Sequence, residues 1–136
     1  MNDLDIAKDM LCNNDATCVV VTLDEAFASK ERGIKPIVSM LNTADDILIG
    51  ACVADKVIGK AAALLFAYGK ISAIYAEVIS EPAIVVFEEF NIKYSYGKCV
   101  KRIQNRTKDG LCPMETRAME ISNPADAYKI FKELIV

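Results

Sequence analysis

The sequence predicts an α/β fold, a β-sheet covered on both faces by helices. Three observations point to it. Short β-branched or continuously apolar runs, such as Thr17–Leu23 and Ala73–Ile79, have the length and composition of strands. Segments with apolar residues three and four apart have the period of helices, and the two kinds alternate along the chain. The 136 residues are 53% hydrophobic, enough to bury a core. No Ser/Gly-rich linker, low-complexity tract or repeat divides them, so residues 1–136 are taken as a single domain.

The elements follow in order. Asp3–Asn13 sets Leu4, Ala7 and Leu11 on one helical face. Thr17–Leu23 is a strand, and Asp24-Glu25 turns it into a second one, Ala26–Ser29. Pro36 suits the first turn of a helix whose apolar side is Ile37, Met40 and Leu41. Ile47–Val53 is expected as a buried strand, after which Asp55 is placed to cap a helix running from Lys56 to Tyr68 and closed by Gly69. That helix is apolar nearly all round, which predicts burial on most of its faces. Ala73–Ile79 is a strand, and Ser80-Glu81-Pro82 opens the helix Ala83–Phe90. Ile92–Tyr96 alternates as a strand, with Lys98–Gln104 expected to pair with it. Cys112-Pro113-Met114-Glu115 starts a short helix, and Asn123-Pro124 starts the last, with Ala127, Ile130, Phe131, Leu134 and Ile135 as its apolar face.

Several function classes are disfavoured at this level. The uncharged runs Ile47–Ala54 and Ala61–Gly69 are too short to span a bilayer, so no membrane partner is expected. The acidic start Met1-Asn2-Asp3-Leu4-Asp5 is unlike a signal peptide, so a cytoplasmic location is expected. Five cysteines at irregular spacing, an odd number, suggest reduced thiols. With no histidine and no C-x-x-C pair, no ordinary zinc site assembles locally, and no metal or other cofactor is expected. Between Asn91 and Gly110, six cations face Asp109 alone, leaving the rest of the chain at −8 within a total of −3. Tyr94 and Tyr96 interleave that basic run, a pattern that suits single-stranded nucleic acid, but the acidic remainder would repel it. A small anion needs only two or three of the charges. The apolar surplus suggests that part of the surface is covered in a homo-oligomer.

Chemistry is expected at two strand-to-helix junctions, Asp55–Lys60 and Ile79–Pro82, because ligands of open α/β sheets bind beyond the carboxyl ends of strands. On one helix, Lys56 and Lys60 would repel each other unless an anion, or Asp55 or Glu81, sits beside them. Gly59-Lys60-Ala61 lacks the spacing of a phosphate-binding P-loop. Cys112, at a helix N-cap in a basic neighbourhood, is a candidate nucleophilic or redox thiol, although no histidine exists to serve as its base.

Four segments together resemble a known family: Glu31-Arg32-Gly33-Ile34-Lys35-Pro36, then Ala54 to Ala63, then Tyr75 to Ala83, and finally Asn105-Arg106 with Cys112-Pro113-Met114-Glu115. The family is domain of unknown function 1893, and the resemblance extends over most of the chain from Thr17 onward. It implies a cytidine-deaminase-like, three-layer α/β/α sandwich with a mixed central sheet. Deaminases of that fold hold zinc through His-x-Glu or Cys-x-Glu and Pro-Cys-x-x-Cys motifs at two helix starts. The corresponding starts here, Asp55-Lys56 and Ser80-Glu81-Pro82, have neither cysteine nor histidine. The resemblance therefore implies a location rather than a reaction. The expected site is a metal-free pocket for an anionic small molecule. In it Lys56 and Lys60 neutralise charge, Ser80 and Glu81 orient the ligand or exchange protons, and Asn105 and Cys112 reach the rim. Lys60 and Cys112 are the candidate reactive groups. The alternative is a non-catalytic interaction or regulatory module whose pocket is filled by side chains.

Overall fold

The computed structural model describes residues 2–13, 15–22, 25–31, 33–43, 46–103 and 113–135. Along these residues run α1 (Asp3–Asn13), β1 (Cys18–Val21), β2 (Ala26–Ser29), α2 (Lys35–Thr43), β3 (Cys52–Ile58) and α3 (Lys60–Gly69). They are followed by β4 (Ala73–Ser80), α4 (Glu81–Glu89), β5 (Lys93–Val100), α5 (Pro113–Ala118) and α6 (Pro124–Ile135). The strands form one mixed sheet in the order β2-β1-β3-β4-β5. β1 is antiparallel to both of its neighbours, whereas β3, β4 and β5 are parallel. Antiparallel β1 and β2 need only a tight turn between them. The parallel pairs need crossovers, and α3 and α4 supply them.

Each face of the sheet buries its own set of side chains. On one face α1 sets Ala7 and Leu11 against Val19, Val21 and Ala54. On the other, α2, α3, α4 and α6 enclose the larger cluster, built around Phe66, Phe87 and Phe131 with Val53, Ile74 and Ile79 from the sheet. The arrangement is a three-layer α/β/α sandwich, as expected. Helix α3 lies in the middle of the larger helical layer, touching α2, α4, α5 and α6 as well as β3. Ala61 to Phe66 are all buried, which explains why that stretch has no polar side. Tyr68 stacks on Tyr128 of α6 at 4.8 Å between ring centroids, closing the lower end of the same contact.

Most elements fall where periodicity put them, and three differ. The strand expected at Ile47–Val53 lies at Cys52–Ile58, and residues 46–50 form turns in which Gly50 takes φ 74°. Asp55 is therefore no helix cap; it sits inside β3, between Cys18 of β1 and Ala76 of β4. The helix starts at Lys60, with Gly59 as its N-cap. A buried strand and a buried helix are both continuous apolar runs, and here the two are adjacent, so periodicity does not separate them. The strand pair expected in Ile92–Gln104 is instead one strand, β5, whose Lys98, Cys99 and Val100 continue the parallel ladder opposite Val78, Ile79 and Ser80. Gly97 within it lies against β4, where a Cβ would stand 3.0 Å from the Glu77 carbonyl oxygen. Gln104 lies outside the described residues.

At its far end α3 is closed by Lys70, in the left-handed conformation (φ 64°, ψ 47°), not by Gly69. Gly69 serves packing, because a Cβ there would lie 2.8 Å from both Cβ and Cδ1 of the fully buried Leu48. Leu48 cannot clear the first of those contacts by changing rotamer. Gly69→Ala should thus lower stability by about 1–3 kcal/mol despite alanine's better helix propensity, measured as a lower urea midpoint at unchanged m-value.

Candidate functional site

Three parallel strands end side by side, and each delivers a charged segment to the same edge of the sheet. β3 leads through Gly59 into Lys60, β4 leads through Ser80 into Glu81, and β5 leads into Lys101 and Arg102. These carboxyl ends border a cleft of about 490 Å³. Lys60, Glu81, Lys101, Arg102 and Ser122 form its polar wall. Leu64 of α3 and Pro82, Val85 and Val86 of α4 form its apolar wall, with Glu89 two turns along α4 from Glu81. The ion pairs among the described residues are Lys35–Glu31 and Lys56–Asp15. Among the described residues, the cations and carboxylates of the cleft thus have no ion pair within 4.0 Å.

The start of α3 is satisfied from within the chain. Lys60 N–H donates to Oε1 of Glu115 at 2.6 Å, and Ala61 N–H donates to Oε2 at 2.8 Å. One carboxylate thus takes two of the free amides that open a helix, where the dipole favours negative charge. Gly59 makes this possible, since a Cβ at that position would overlap the Glu115 carboxylate. Lys60 Nζ donates to the Met119 carbonyl at 3.4 Å, a second link between α3 and the end of α5. Burial raises the pKa of Glu115, against the lowering effect of the Ala61 and Lys60 amides and of the Lys60 charge. Sequence reasoning missed this residue. Glu115 stands at the third position of α5, where a glutamate ordinarily serves its own helix start, and nothing local announces a partner 55 residues away.

The predicted site residues separate into groups. Lys60 and Glu81 come together on the cleft. Ser80 is fully buried beneath it, its hydroxyl oxygen accepting from Ala83 N–H at 3.2 Å, so it caps α4. Lys56 is on β3 rather than on a helix with Lys60, and its ammonium lies 4.0 Å from Asp15 after α1. Asn105 and Cys112 lie outside the described residues. The cleft cations Lys101 and Arg102 belong to the basic run noted in the sequence, but only the parallel direction of β5 brings them to Lys60.

Asp55, away from the cleft, is a buried carboxyl group beside the buried Cys18. Its Oδ1 accepts from Val57 N–H at 3.2 Å, and the Cys18 thiol also bonds to it. Burial pushes its pKa up to about 7, outweighing those hydrogen bonds, with the Glu77 charge adding to the rise. Burial, and then the Asp55 charge, likewise raise Cys18, which makes it a poor nucleophile at neutral pH.

The residues do not fit the zinc centre of a deaminase. The two helix starts read Gly59-Lys60-Ala61 and Ser80-Glu81-Pro82, with no imidazole or thiol, and the Glu115 carboxylate beside the first is already bound by two amides. Among the described residues no group of three or more His, Cys, Asp or Glu is placed to hold a metal ion. Among them also, no helix is long and apolar enough to cross a membrane.

Residues 6–135 match the family described as TM1506, domain of unknown function (DUF1893). The chain is also similar to a solved structure, that of a DUF1893 family protein (TM1506) from Thermotoga maritima. The two are 29% identical with a TM-score of 0.89, over 98% of this chain and 90% of that one. No curated protein matches the chain.

Two measurements probe this geometry. Glu115→Ala leaves two amides at a buried helix start without partners and should cost about 1–3 kcal/mol. Gly59→Ala should be destabilising in the native chain and much less so in the Glu115→Ala background, a coupling read from the four denaturation curves. Asp55 gives a pH signature. Its folded pKa lies above 3.8, so its contribution is fully present below about pH 4 and is lost as pH rises through about 7. The full loss is on the order of 4 kcal/mol. Asp55→Asn should therefore gain stability relative to the native chain as pH rises from 5 to 8, and parallel pH profiles would contradict it.

Proposed function

The chain belongs to the DUF1893 family, and from that premise we propose that it binds a small anionic metabolite in the cleft at the carboxyl ends of β3, β4 and β5. One observation carries the reading: Lys60, Lys101 and Arg102 line one cleft, without an ion pair among the described residues, against a partly apolar wall. Its volume of about 490 Å³ is within the usual range for small-molecule sites. Arg102 suits bidentate capture of a carboxylate or phosphate, while Lys60 and Lys101 act as point charges. Glu81, beside Lys60, is the carboxylate placed to orient the ligand or exchange a proton, and Lys60 is the candidate amine if turnover occurs. The mixed sheet between helices, with two successive strand-to-helix junctions beside the cleft, supports a deaminase-like reading of the fold. The Gly59-Lys60 and Ser80-Glu81 starts argue against its zinc chemistry. Nucleic acid is disfavoured because Glu81, Glu88 and Glu89 of α4 flank the basic run. We place the protein in the cytoplasm.

A second reading, a homo-oligomeric interaction module, draws on β5. This eight-residue edge strand is largely exposed, with Tyr96 at 45%. Such an edge invites pairing with a second copy. Light scattering would test it: a monomer at high concentration removes this reading.

The principal test is a thermal-shift screen against phosphorylated and carboxylated metabolites, repeated with Lys60→Ala and Arg102→Ala. A true ligand should raise the native Tm and lose most of that shift in both variants. A ligand that stabilises all three proteins equally binds elsewhere and removes the cleft from consideration.

A further inference from the structure

We infer that the ligand of this cleft is a zwitterion, an anionic head joined through an apolar body to an amine. The inference rests on the anion-binding reading above and adds the far end of the ligand.

The charges lining the cleft are sorted by position. Lys60, Glu81, Lys101 and Arg102 all follow directly on the carboxyl ends of adjacent parallel strands, so they share one level of the molecule. Three cations against one carboxylate leave that end positive. Glu89 lies eight residues beyond Glu81 on α4, about 12 Å along the helix axis at about 1.5 Å per residue. Between them, on the same stripe of the helix, is Val85, which is 64% exposed, with Leu64 of α3 alongside. The cleft thus runs from a cationic end across an apolar middle to a single carboxylate.

Glu88 accepts the Tyr94 hydroxyl at 2.6 Å, whereas its neighbour Glu89 has no ion pair among the described residues. A simple anion with an apolar tail would satisfy the cationic end but bring that tail against the Glu89 carboxylate, displacing water and offering nothing in return. An amine at the end of the tail replaces that water with an opposite charge. Charge placed this way contributes mainly to selectivity between ligands.

Calorimetry with the full chain at low salt and pH 7 tests this with 8-aminooctanoate, octanoate, octylamine and 4-aminobutanoate. The expected result is that 8-aminooctanoate binds at least fivefold more tightly than octanoate or octylamine. The short 4-aminobutanoate, unable to reach both ends, should show no such advantage. Glu89→Gln, a change at an exposed position, should abolish the advantage of 8-aminooctanoate over octanoate. Octanoate binding as tightly as 8-aminooctanoate would overturn the zwitterion while leaving the anion site standing, as would an advantage that survives Glu89→Gln. Failure of all four probes to bind would overturn both.

Discussion

A helix without a polar side must be covered on every side, and that constraint organises this fold. From Ala61 to Phe66 the residues of α3 are buried, so sheet, α2, α4, α5 and α6 all have to meet around it. Covering such a helix raises a second problem, because its first amides cannot all reach water. The Glu115 carboxylate meets part of that need, taking the Lys60 and Ala61 N–H groups together. Its negative charge lies where the helix dipole is positive, and Gly59 leaves room for it.

This contact also shapes the site. Charge at the start of α3 is already balanced by an internal carboxylate, so the cleft depends on side chains more than on backbone amides. Lys60 belongs to both arrangements. Its amide holds Glu115, and its side chain reaches Met119 while lining the cleft beside Glu81. The cleft and the seat of α5 therefore share a residue.

How much of this was legible beforehand follows from the range of each interaction. Ser80 was recognisable as a cap, and Asn123-Pro124 as a helix start, because such residues bond amides two or three positions away, and Ser80 and Asn123 do so. The β1–β2 pairing, the face of α1 and the buried Ala127 and Phe131 of α6 were likewise written in local pattern, although Leu134, assigned to the same face, is 50% exposed. Asp55 misled for the same reason. An aspartate before an apolar run has the signature of a helix start, and only the register with Cys18 and Ala76 shows it to be a buried strand residue. Lys56 followed it onto the wrong element. The sequence held Lys101 and Arg102 as part of a basic run, without a way to place them beside Lys60.

What the sequence by itself determined is the class of the fold and the burial of α3. Each depends on composition and short-range periodicity, which need no partner to be read. The tertiary structure alone decided that Glu115 closes the start of α3, that Asp55 lies in the sheet, and that three strand ends converge on one cleft. Those are contacts between residues tens of positions apart, and a single sequence carries no local signal for which distant side chain will meet which amide.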